Sequence, residues 1–237
     1  MRGLNWRSLL AVIAVMCLLQ VQVASMAAQG MGGLKGDEDD EETPETELVS
    51  LEDAGLISDT EYESPQFGYV VEWTEDWVLD DYFDNPDEGL QPVMTNPETE
   101  QDFLYLIWTE GSSDYGYIYI IGQTASRGGP DADVEEWTDP DYIASQWPED
   151  DWEAEVVLDE ESRDRGSVVY ALTDADGALY YTIYLSIELD GGEMIYITFS
   201  TSEASFEDAF EHVSEDIEID GEPIFTLYDW DDIEAEL

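Results

Sequence analysis

The chain has 237 residues, of which 60 are acidic and 6 basic, for a formal net charge of −54, and it contains a single cysteine. Charge on this scale governs solubility, partners and association rates rather than fold. It excludes nucleic acid and anionic lipid as ordinary partners, since both need Lys or Arg on a contact face to displace counterions.

Residues 1–28 read as an export signal. Met1 to Arg7 is a short basic segment and Leu9 to Leu19 an apolar run. Ala24-Ser25-Met26-Ala27-Ala28 then places small residues at cleavage spacing. The run is shorter than the roughly 20 residues of a membrane-spanning helix, and no later segment reaches that length without charges. The expectation is a secreted or extracellular protein of the cell envelope, with no transmembrane segment after signal cleavage. Cys17 reads as an ordinary residue of the apolar run, because Met16 stands before it where a lipoprotein signal wants a small residue. Cleavage near Ala28 leaves Lys35, Arg127, Arg163 and Arg165 as the basic residues and removes the cysteine. A disulfide framework is then excluded, and stability falls to core burial.

Residues 29–59 hold Gly32-Gly33, the acidic run Asp37 to Glu42 and few large apolar side chains. That composition cannot bury enough surface to order itself and reads as a disordered acidic tether. Residues 60–228 are dense in aromatic and β-branched residues and read as a single α+β domain. Residues 229–237 read as an acidic C-terminal tail.

Within the domain, Phe67, Tyr69, Val71 and Trp73 alternate along one face. Phe103 to Trp108 is a continuous apolar run, and Tyr115, Tyr117, Tyr119 and Ile121 alternate again. Ala154 to Leu158, Val168 to Leu172, Leu179 to Leu189 and Met194 to Ser200 complete the predicted strands. Asp174-Ala175-Asp176-Gly177 and Asp190-Gly191-Gly192 supply the positive-φ residues of antiparallel hairpins, so the later strands form a meander. Two helices are predicted. One is capped by Asp139, opens on Pro140 and ends at Pro148. The other starts near Ser202 or Ser205 and carries Phe206, Ala209, Phe210 and Val213 on one apolar stripe, with Glu207, Asp208, Glu211 and Glu215 toward water. A helix with one apolar face must lie on the sheet, which gives a largely antiparallel, twisted sheet with helices packed on it.

The segment from Tyr62 through Ser64, Phe67-Gly68-Tyr69 and Trp73 to Trp77 resembles the opening of exported PsbP-like domains, a Gly-aromatic strand followed by a short turn and a Trp that starts the next strand. The order of elements from Tyr62 to about Ile219 is similar to that α/β sandwich. The turn here is Thr74-Glu75-Asp76, without the proline that often precedes the Trp, and no ligand residue maps across. The resemblance implies a fold, with functions in the wider group running to accessory and assembly roles rather than catalysis; a role in oxygen evolution is not carried over.

Catalytic chemistry finds little to use. His212 is the only histidine and lies at the polar edge of the second helix beside Glu211 and Glu215, where a solvated or helix-pairing role outweighs a catalytic base. With no second histidine and no cysteine beyond the signal, the usual zinc ligand sets are out of reach. There is no Gly-x-Ser-x-Gly elbow, and Arg127-Gly128-Gly129-Pro130 reads as a turn rather than a phosphate cradle. An EF-type calcium loop through Asp174, Asp176 and Gly177 fails at both anchors, which would be Leu172 and Ile183. Asp80-Asp81, Asp84 and Asp87, and Asp229, Asp231 and Asp232, are clusters that attract cations loosely without making a site. Trp137, Trp147, Trp152 and Trp230 suggest a stacking platform for sugars, but core packing is the better reading. No catalytic, cofactor-binding or metal residue is assigned, and no cofactor is expected.

A 20 kDa domain exposes roughly 8,700 Å², which here means about one net negative charge per 190 Å² and a spacing of about 14 Å. The Debye length is about 8 Å at physiological salt and about 3 Å at 1 M. Repulsion summed over the surface then amounts to several kcal/mol at ordinary salt and nearly nothing at molar salt. The expectation is an exported, non-catalytic accessory or binding domain at the surface of a high-salt-adapted cell, with an unidentified extracellular partner. The alternative is a carboxylate-dependent activity, either divalent-cation binding or a glycosidase-like hydrolase.

Overall fold

The computed structural model describes residues 50–79, 92–97, 99–108, 116–124, 128–148 and 151–237, all within one unit, Glu47–Leu237. The signal, most of the acidic tether, Tyr115, Arg127 and the cluster from Asp80 to Asp87 lie outside the described residues.

In chain order the strands are β1 Leu56–Ser58, β2 Glu61–Glu63, β3 Val70–Trp73, β4 Trp77–Leu79, β5 Val93–Asn96, β6 Gln101–Trp108, β7 Tyr117–Gln123, β8 Trp152–Glu161, β9 Arg165–Asp174, β10 Leu179–Glu188, β11 Met194–Ser202, β12 Ile217–Ile219 and β13 Glu222–Pro223. The helices are α1 Pro130–Trp137, α2 Pro140–Gln146, α3 Phe206–Asp216 and α4 Trp230–Glu234. The larger sheet runs β4-β6-β7-β11-β10-β9-β8, with β5 paired to β6; the smaller runs β1-β2-β3-β12-β13. Every strand pair is antiparallel. The fold is α+β, and the meander of β9 through β11, extended by β8 at its edge, is the one the turn residues predict.

Side-chain alternation divides the large sheet into two faces. Leu104, Leu106, Ile118, Ile120, Val169, Ile183, Leu185, Ile195, Ile197 and Phe199 point to one, where they form the core with Val71 and Trp73 of the small sheet and Phe206, Ala209, Phe210 and Val213 of α3. Gly122 in β7 makes the close approach of the small sheet possible: a Cβ there would lie 2.5 Å from the Tyr69 ring. On the opposite face, α1 covers the β9–β10 region, and Trp137 at its end and Trp147 just after α2 pack on Tyr184, with Trp147 also on Tyr170.

The structure corrects several expectations. The ordered chain begins before Tyr62: β1 falls inside the segment read as a disordered tether, because Ala54 is fully buried and β1 pairs with β2 across Leu56 and Tyr62. The stretch 229–237 is no free tail, because Ile233 is fully buried and Asp229 and Asp232 cap α4 reciprocally. Gly128-Gly129-Pro130, read as part of a turn, leads into a helix unseen in the sequence, with Gly129 as its N-cap and Pro130 at its first position. The first aromatic strand is shorter than expected, since β3 starts at Val70 and Phe67 lies in the preceding turn. It also joins β12 and β2 in a separate sheet instead of extending the main one.

Candidate functional site

The sequence candidates divide cleanly once they are placed. The Asp174–Gly177 loop closes the β9–β10 hairpin. Asp174 Oδ1 accepts from the backbone N–H of Asp176 at 2.9 Å and of Ala178 at 2.8 Å, and Gly177 takes φ +83°. Its carboxylate is spent on the turn, as the hairpin reading requires. Asp229 and Asp232 are spent on the α4 cap. Trp137 and Trp147 are buried against Tyr170 and Tyr184, while Trp230 is half-buried and packs edge-on to Phe206 at 5.4 Å against the rim of the core. Half-buried Trp152 lies against Tyr180. Glu135, Glu136, Asp139, Asp141 and Tyr142 line an open depression between α1 and α2.

Among the described residues, two acidic side chains are buried, Asp102 and Asp133. Asp102 lies in β6 at the rim of the core face and accepts from Ser64 Oγ and from the Gln66 backbone N–H at 3.1 Å on one oxygen. On the other it accepts from Gln66 Nε2 at 2.7 Å and Thr95 Oγ1 at 2.5 Å. Four donors compensate a charge that would otherwise be costly to bury, and they pin the Ser64–Gly68 turn to the large sheet. Burial, and after it the Asp102 charge, push the Tyr69 hydroxyl well above the ordinary tyrosine range. Asp133 lies on the buried side of α1, accepts from Tyr196 Oη at 3.3 Å, and has its carboxyl raised to about 6, chiefly by burial.

One constellation brings together groups that the sequence keeps far apart. His212 sits on α3 one turn before Asp216, and its Nδ1 lies 3.1 Å from Asp216 Oδ2. Asp76, from the turn between β3 and β4, converges on the same point, and one ligand atom from each of the three lies within 4.8 Å of the other two. The indole of Trp108 in β6 flanks the imidazole, with ring centroids 4.9 Å apart. The backbone holds the two elements together. Thr74 N–H donates to the carbonyl of Asp216 at 3.2 Å, and Trp73 pairs with Ile217 across β3 and β12. The side chain that His212 meets on the helix is Asp216, whereas the sequence set the histidine beside Glu211 and Glu215 in a solvated or helix-pairing role. Asp76 and Trp108 were invisible there because no local spacing connects them to His212; the only signal was the i,i+4 interval between the histidine and Asp216.

No protein-family model matches this chain, and no curated protein matches it. It is similar to the solution structure of cyanobacterial PsbP (CyanoP) from Synechocystis sp. PCC 6803, at 17% identity and a TM-score of 0.37, covering 70% of this chain and 95% of that chain. The PsbP name is the one that the Tyr62–Trp77 segment resembles. Among the described residues, no helix is long and apolar enough to cross a membrane.

Proposed function

We propose that the chain is an exported, non-catalytic accessory or binding domain of the cell surface, with its acidity a property of the whole surface that suits it to high salt. The observation that carries this reading is the placement of the carboxylates. The outward residues of α3 (Glu207, Asp208, Glu211, Glu215), α1 (Asp131, Glu135, Glu136) and β8 (Glu153, Glu155, Asp159, Glu160, Glu161) are all exposed. They are spread over separate elements, and Glu135 and Glu136 alone of them line the open depression between α1 and α2. Of the basic residues, Arg165 is half-buried and donates to the backbone carbonyls of Pro223 and Ile224 at 3.3 and 2.8 Å, so its charge serves the fold.

A surface built this way repels itself in dilute buffer and is screened once the Debye length falls below the charge spacing. Export is tested by separating cells from medium and envelope and measuring the mass of the recovered protein. The reading expects an N-terminus near Gln29, set by signal cleavage. An intact N-terminus inside the cell, or a lipid-modified Cys17, overturns it.

A further inference from the structure

We propose that Asp76, His212 and Asp216 form a binding site for one divalent first-row transition-metal ion, zinc being the probe of choice. This goes beyond the surface reading and does not depend on it, because the site is local and its donors are of mixed type.

The geometry carries the proposal. Three ligand atoms, one imidazole nitrogen and two carboxylate oxygens, already lie within 4.8 Å of one another. Donors bound to one zinc ion at about 2.0–2.2 Å sit about 3.4 Å apart in a tetrahedron, so small side-chain rotations close the set. The donors come from two elements that cannot drift apart: the end of α3 and the β3–β4 turn are joined by the Thr74 to Asp216 hydrogen bond and by the Trp73–Ile217 register pair. His212 and Asp216 are four residues apart on one helix, the interval that puts two ligands on the same side of successive turns. The Trp108 ring, tilted 34° to the imidazole with centroids 4.9 Å apart, limits its rotation.

Charge points the same way. Two carboxylates lie on either side of one imidazole, with an oxygen of each and a ring nitrogen within 4.8 Å of one another. A divalent ion bound there answers both carboxylates at once. The nitrogen donor selects the class of ion. Calcium and magnesium take oxygen ligands, whereas imidazole suits zinc and its first-row neighbours. Three protein ligands leave at least one coordination position for water or for a donor from a partner. With side-chain exposures of 38% for His212 and 14% for Asp216, an ion reaches the site from solvent without opening the fold.

The two buried carboxyls offer no such site. Asp102 is already satisfied by four donors of its own chain, and Asp133 has no second carboxyl or histidine converging on it in the metal-ligating groups of the described residues.

The test is calorimetric titration of the full, chelator-stripped chain with zinc chloride at constant high ionic strength, against calcium chloride at the same concentrations. The same titrations are run on His212→Gln, Asp76→Asn and the outward-facing control Glu207→Gln, each first shown by circular dichroism to be folded. The proposal expects one saturable zinc site in the parent and the control, weakened at least about tenfold in each ligand variant, with calcium showing no saturable binding there. Asp76→Asn stands in a different element from His212, so a local disturbance of α3 cannot mimic the loss in both. Equal zinc affinity in the parent and both ligand variants overturns the proposal. So does calcium binding as tight as zinc and insensitive to these substitutions, since that is diffuse attraction to an acidic surface.

Discussion

The two faces of the large sheet solve the burial problem in different ways. On the core face, Ile183, Leu185, Ile195, Ile197 and Phe199 meet α3 and the small sheet through apolar contact, and the aromatic rings of Phe206, Phe210, Phe225 and Tyr228 close the space around them. On the opposite face, the same strands present Tyr170, Tyr184, Tyr196, Thr182, Ser186 and Ser200, which need hydrogen bonds as well as contact. Tyr170 Oη donates to the Trp137 carbonyl at 2.8 Å, Thr182 and Ser200 share a hydrogen bond of 2.7 Å, and Tyr196 donates to Asp133. The first face depends on shape and area, and the second on partners being in place.

The contrast sets the order of expected effects. Phe210→Ala or Trp73→Ala removes a ring from the packed face and should cost about 3–5 kcal/mol in chemical denaturation. Near-neutral values would mean that the face is not the core. Next comes Asp102→Ala at the rim of that face, which strands the donors of Ser64, Gln66 and Thr95. It should cost about 3 kcal/mol, although no apolar contact is lost. A loss below about 1 kcal/mol would show that water repairs the network.

The hydroxyl-bearing face is probed through pH. The folded value of Asp133, about 6, lies above the ordinary 3.8, so protonation favours the folded state. Its contribution to stability is complete below about pH 4 and is lost as the pH rises through about 6. Asp133→Asn should flatten the stability profile in that window and raise stability at neutral pH relative to the parent by about 1–2 kcal/mol, the partial exposure of the carboxyl screening part of the shift. An unchanged slope between pH 4 and 6 would place the titration elsewhere.

What the sequence revealed follows the same division. The core-facing strands and α3 were legible because apolar residues at period 2 or at i, i+3, i+4 and i+7 announce a buried stripe, and the meander was legible because Asp-Gly and Gly-Gly turns joined its strands. Elements stabilised by a few long-range contacts left little trace. α1, Pro-Asp-Ala-Asp-Val-Glu-Glu-Trp, buries Val134 and Trp137 within an acidic octapeptide, and β1 depends on Ala54 and its pairing with Tyr62. The division into two sheets depended on β12 returning to β3 across more than a hundred residues. At the candidate site, the sequence placed His212 on the polar edge of α3 beside Glu211 and Glu215, whereas its contact with Asp216 and the arrival of Asp76 and Trp108 come from the fold.

The outermost layer should be the least sensitive to single changes. Replacing one exposed carboxylate, as in Glu207→Gln, should alter stability by less than about 0.5 kcal/mol, because the acidity acts as a sum. Thermal unfolding of the full chain between about 0.1 M and 1 M NaCl, repeated in KCl, reads that sum directly. The account predicts a rise in Tm of about 5–10 °C, alike for the two salts and levelling off once the Debye length is well below the charge spacing; a Tm that does not move with salt would contradict it.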